Sequence, residues 1–107
     1  MIMPWPAPSV ATPAALDLSL RSIHILERMA DDQPYSRFHS EQLVRYYGKL
    51  GEIYRASGRY DDARETYAKA RALVEQMEAH SGRSAETLTL QASIAQSLAR
   101  VAHAVAT

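Results

Sequence analysis

The chain has 107 residues, twelve basic and twelve acidic side chains, a formal net charge of zero and no cysteine. Balanced charge gives no long-range pull toward nucleic acid or an anionic bilayer, and the lack of thiols excludes a disulfide framework, a thiolate metal site and a cysteine nucleophile. No apolar run approaches the ~20 residues that a membrane helix needs and no basic-then-apolar start reads as a secretory signal, so a cytoplasmic setting is the expectation.

Residues 1–13, MIMPWPAPSVATP, hold most of the prolines. Each proline fixes φ and removes a donor, which predicts an extended arm ahead of a single helical domain over 14–107. The bland reading of the arm is a tail that packs on nothing. Ile2, Met3 and Trp5 are costly to leave in water, however, and suit docking on the last helix or on a neighbouring subunit. Thr12 and Pro13 read as a cap followed by a first-turn proline, opening a first helix over 14–30. Leu16, Leu20, Ile23, Leu26 and Ala30 give it a buried stripe, with Met29 beside it, and Asp31-Asp32-Gln33-Pro34 stops it.

A second helix is predicted over 37–57, with Ser36 or Ser40 as its cap. Tyr47, Leu50, Ile53 and Tyr54 recur at three- and four-residue steps and share one face. Gly51 lies on that face. A glycine inside a helix costs roughly 1 kcal/mol relative to alanine, so a large side chain from a neighbouring helix, Tyr67, is expected against it. Gly58 suits the left-handed residue that ends a helix.

Tyr60 then begins a third helix over 60–79, with Asp61 and Asp62 at the positive end of its dipole. Ala63, Tyr67 and Ala70 form its inner face, continued by Leu73, Val74 and Met77. Ala63 is small where Tyr54 and Tyr60 are large, which predicts a buried socket. Ser81-Gly82-Arg83 is a turn. Ser84 caps a fourth helix over 85–105, whose stripe is read as Leu88, Ala92, Ala95, Leu98, Ala102 and Val105, with Ile94 and Val101 beside it. Nothing reads as strand, so the fold class is all-α: antiparallel helical hairpins of about four helices.

The run Tyr47-x2-Leu50-Gly51-x2-Tyr54, then Gly58, Tyr60, Ala63-x3-Tyr67 and Ala70, resembles the tetratricopeptide repeat. That family's pattern is Trp-x2-Leu-Gly-x2-Tyr, Gly, Ala-x3-Phe, Ala and a closing Pro on a period of ~34 residues. Tyrosine stands for Trp and Phe here, and Glu75 holds the place of the closing Pro. The run-on second helix makes residues 44–77 look most like the longer repeats of kinesin-light-chain type. The first helix, lacking the Ala-x3-Tyr signature, reads as a cap, and so does the fourth.

The resemblance implies a protein–protein interaction module whose first repeat helix lines a groove. In clamp-type members, basic residues at the second and sixth repeat positions help to bind a partner's terminal carboxylate. Arg45 and Lys49 occupy those positions, but Glu52 stands where the family has Asn. Glu52 would repel a carboxylate or neutralise Lys49. A solvated face with a Lys49–Glu52 pair is the plain alternative to a groove for a mixed-charge peptide.

Other chemistry is sparse. His24, His39, His80 and His103 fit no metal-binding pair, no phosphate-binding glycine loop or nucleophile elbow occurs, and Asp31-Asp32 and Asp61-Asp62 sit at helix ends. No catalytic residue, cofactor or metal is expected. The reading is a small adaptor or accessory protein that binds a partner peptide or helix through Arg45, Tyr46, Lys49, Glu52 and Arg55. The rival is a small helical-bundle enzyme or ligand-binding protein with its site between helices.

A repeat unit cannot bury its face alone, and the apolar arc of the fourth helix is wide. A homodimer is therefore expected, with contacts at Trp5, Leu90, Ile94, Val101 and Val105. The start methionine and the polar outer faces of the terminal helices are read against an excised piece of a longer array.

Overall fold

The computed structural model describes residues 13–33 and 36–106. Those residues form four helices and no strand: α1 (Pro13–Asp32), α2 (Arg37–Ala56), α3 (Tyr60–Ser81) and α4 (Ala85–Ala106). The predicted all-α class is the one found. The bounds differ from the expected ones by one or two residues. α1 carries Asp31 and Asp32 in its last turn, and α3 continues until Gly82 takes φ +82°. The arm, including Trp5, and the Thr12 cap lie outside the described residues.

Local chemistry sets the helix ends. Ser36 caps α2, its hydroxyl accepting from the His39 amide at 3.4 Å. At the other end Gly58 has φ +78°. The Arg59 amide donates to the Tyr54 carbonyl at 2.8 Å and the Gly58 amide to that of Arg55 at 3.1 Å. This is the paired closure that a left-handed residue makes possible. In the first turn of α3, Asp62 accepts from Arg59 at 2.7 Å and Asp61 from Arg64 at 2.9 Å. α4 opens on a reciprocal cap. The Thr87 amide donates to Ser84 Oγ at 3.2 Å, and the Ser84 amide to Thr87 Oγ1 at 2.9 Å.

The helices pack in chain order, α1 on α2, α2 on α3 and α3 on α4, with the most extensive contact between α2 and α3. α2 also touches α4, whereas α1 and α3 do not pack on each other. The result is two layers, with α2 and α4 closed together and α1 and α3 splayed. One core runs through all four helices, from Ile23 through Leu43, Val44, Tyr47 and Leu50 to Tyr67, Ala70, Val74, Ile94 and Val101. At its centre Tyr67 is 1% exposed and lies over Gly51, where a Cβ would stand 2.5 Å from the ring. Ala63 is fully buried.

α4 is rolled from its predicted orientation. Thr87, Ile94 and Val101 are buried, with Leu90 and Leu98 packed against the core, while Leu88, Ala92, Ala95, Ala102 and Val105 are exposed. Turning Ile94 and Val101 inward removes more apolar area from water than turning in alanines. Thr87 is drawn in with them by its cap and by a 3.3 Å hydrogen bond to Glu78. Leu20 also departs from its expected place and is exposed, because α3 does not close over that side of α1.

Candidate functional site

Arg45, Lys49 and Glu52 follow one another at four- and three-residue steps along α2, and Phe38 lies seven residues before Arg45 on the same face. Arg45, Lys49 and Phe38 are exposed, with Phe38 at 64%. Tyr46 does not stand free. It is half-buried against the core, and Lys49 Nζ lies over its ring, 4.9 Å from the centroid, a cation–π arrangement.

The expected Lys49–Glu52 pair is absent. Glu52 instead binds Arg55, accepting from both Nε and Nη2. The fork of a guanidinium suits two carboxylate oxygens, which an ammonium cannot match. The Arg55 bond holds the Glu52 carboxyl below its ordinary range, against the opposing effect of burial, with Arg55 and Arg100 charges assisting. The same bond raises the Arg55 guanidinium. Tyr67 is pushed up, mainly by burial, and its hydroxyl is hydrogen-bonded with Ser97. Glu52, Arg55, Tyr67, Ser97 and Arg100 thus form one polar cluster across α2, α3 and α4. Glu52 is held ionised there, which suits recognition rather than proton transfer.

The second predicted set is dispersed. Ile94 and Val101 are core residues, 6% and 1% exposed, and make no outward contact. The roll of α4 carries both inward, away from the outer contact that the sequence predicts for them. Leu90 is half-buried against the core and Val105 is exposed.

A groove between α1 and α3 was not foreseen. Its floor is Leu43, Tyr47 and Leu50 of α2, and its larger part encloses about 690 Å³, walled by Glu27, Ala30, Ala72, Leu73 and Met77. Glu27, Tyr47 and Lys69 line both of its parts. The Tyr47 hydroxyl donates to Glu27 Oε2 at 2.9 Å. Burial, then this hydrogen bond and the charge of Glu27, push the Tyr47 hydroxyl above its ordinary value. The groove follows from two helices failing to meet, for which the only sequence signal was a carboxylate, Glu27, beside the apolar stripe of α1.

Tyr47 has a consequence for stability at alkaline pH. An unfolded tyrosine ionises near pH ~10, while folded Tyr47 keeps its proton. Above that pH the native chain binds more protons than the unfolded one, so stability is complete below about 10 and falls as pH rises. Urea midpoints are expected to drop as pH rises from about 10 to about 12, and to drop less in Tyr47→Phe. An equal drop in both proteins would contradict this.

Among the described residues no cluster of His, Asp or Glu has the geometry of a metal site, and no helix is long and apolar enough to cross a membrane. No protein-family model, curated protein or solved structure matches the chain.

Proposed function

We propose that this chain is a small interaction module of tetratricopeptide type, an adaptor or accessory protein, and that it binds a partner peptide or helix on the outer face of α2. One observation carries the reading. Six of the twelve basic side chains, Arg21, Arg37, Arg55, Arg59, Arg64 and Arg83, each hold a carboxylate; among the described residues Arg45 and Lys49 hold none, as is also true of Arg28, Lys69, Arg71 and Arg100, but Arg45 and Lys49 lie together on one exposed face of α2. They share a face of α2 with an exposed aromatic ring, Phe38, two turns before Arg45. Cations without a carboxylate, on one helix face with an exposed apolar side chain, suit a segment that brings acidic groups and an apolar anchor. The interlock of Gly51 with Tyr67 supports the family reading, since it joins the two helices at the residues that carry the resemblance. Glu52, tied to Arg55, does not neutralise Arg45 or Lys49, and Lys49 over the Tyr46 ring keeps its charge for a partner's acidic group.

The test is affinity capture from the native cell, followed by titration of the captured protein. Arg45→Glu with Lys49→Glu is expected to weaken binding by at least ~10-fold, or about 1.4 kcal/mol, with an unchanged thermal melt. The groove between α1 and α3 favours a second reading, a ligand-binding protein with its site between helices. Under that reading the charge reversal leaves binding intact, and Ala72→Trp, which fills the groove, abolishes it.

A further inference from the structure

The groove between α1 and α3 lies alongside α1 from Leu20 to Asp31, and Glu27, Tyr47 and Lys69 mark the junction of its two parts. Leu20 lines the part nearer the start of α1 and is 44% exposed. Beyond the junction the apolar lining is Leu43, Leu73 and Met77 with two small residues, Ala30 and Ala72. One wall of the groove is thus the helix that the proline-rich arm leads into at Pro13. Residues 1–12 lie outside the described ones. They carry no charged side chain, and set Met3 and Trp5 among Pro4, Pro6 and Pro8.

We propose that residues 3–6 of this arm occupy the groove of their own chain, with Trp5 in its larger part beside Glu27. The reach agrees with the length of the groove. An extended proline-rich segment advances roughly 3.1 Å per residue, so the eight steps from Pro13 back to Trp5 span roughly 25 Å. Along α1, at 1.5 Å per residue, Glu27 stands roughly 21 Å from Pro13. The difference is what the chain needs to reverse direction at Pro13. Met3 follows roughly 6 Å beyond Trp5, level with Asp31, and the residues behind Trp5 pass over exposed Leu20.

The chemistry of the arm suits this seat. Pro4, Pro6 and Pro8 have no amide N–H, so the segment brings few donors into an apolar groove, and its extended form is set before it docks. Grooves lined by aromatic rings take proline-rich segments in this way, and Tyr47 supplies the ring. Glu27 accepts from the Tyr47 hydroxyl through Oε2 and presents a second oxygen to the Trp5 indole N–H, a group that only donates. A tethered segment also acts at about millimolar effective concentration, ahead of a free ligand for the same seat. Arg45 and Lys49 line neither part of the groove, so this docking leaves the outer face of α2 open.

Trp5 is the only tryptophan, so its fluorescence reports on the arm alone. In the full chain its emission should be blue-shifted from that of the urea-unfolded protein and shielded from acrylamide, to the same degree at every protein concentration. Ala72→Phe fills the groove from an exposed position on α3, and Leu20→Glu sets a charge on the path of the arm. Each should return both signals to their unfolded values with helix content unchanged by circular dichroism, and either variant alone is a sufficient test. Solvent-like emission in the native wild type overturns the proposal. A shielded Trp5 that neither substitution releases overturns it as well, and puts the arm on another face. Shielding that fades on dilution overturns docking within one chain and gives the groove to the arm of a second copy.

Discussion

Gly51→Ala is expected to lower the stability of the chain, although alanine ordinarily strengthens a helix by roughly 1 kcal/mol over glycine. The added Cβ would stand 2.5 Å from Tyr67 Cε1 and 2.6 Å from Cζ. That ring is 1% exposed, so it has no solvent to swing into, and either it leaves its rotamer or the helices separate. Overpacking of this kind costs about 1–3 kcal/mol, and Gly51→Leu should reach the upper end. Gly48 is the control. It lies three residues earlier in the same helix, and nothing stands within 4 Å of a Cβ built there. Gly48→Ala should therefore be neutral or stabilising by up to about 1 kcal/mol. Each kcal/mol corresponds to roughly 4–8 °C in Tm for a domain near this size. Calorimetry should thus move the two variants in opposite directions, and movement in the same direction would remove the packing argument.

Val101→Glu is expected to remove a large share of the stability of the chain. Val101 is 1% exposed within the core, and a carboxylate there has no cation to meet it. An uncompensated buried charge costs about 3–5 kcal/mol, against a total of about 5–15 kcal/mol for an ordinary domain. Val105→Glu, four residues further along α4 and 53% exposed, should leave the melt within about 0.5 kcal/mol of wild type. The predicted stripe of α4 requires the reverse order, with Val105 inside and Val101 at its edge. A chemical melt of the two variants separates these orientations.

That reversal marks the boundary of what could be read from the residues. The α2–α3 hairpin was legible because its pattern is unambiguous. Gly51 makes sense only beneath a large neighbour, and Gly58 only in a left-handed turn. Both helices are adjacent in the chain, so no long-range information was needed. α4 has alanine on nearly every side, and alanine does not distinguish an inner face from an outer one. Its roll is set by Thr87, a polar residue that enters the core because capping and Glu78 satisfy its hydroxyl. On the α2 face the partner of Glu52 was a choice between Lys49 and Arg55, both three residues away, and was decided by guanidinium geometry and by the ring of Tyr46. The groove depends on α1 and α3 not meeting, which no local pattern encodes.

The solitary attachment of α1 orders the ways in which the native structure can open. Among the described residues every other helix is held on two sides, whereas α1 is held by α2 alone, through Ile23, Leu16, Leu26 and Ala30 and the Glu27–Tyr47 hydrogen bond. Its release breaks one interface and leaves the other three helices packed, so it is a low-cost route to partial unfolding. The brief three-helix species would bare Leu43, Tyr47 and Leu50 together. It would offer another helix, from any protein, the seat that α1 normally fills.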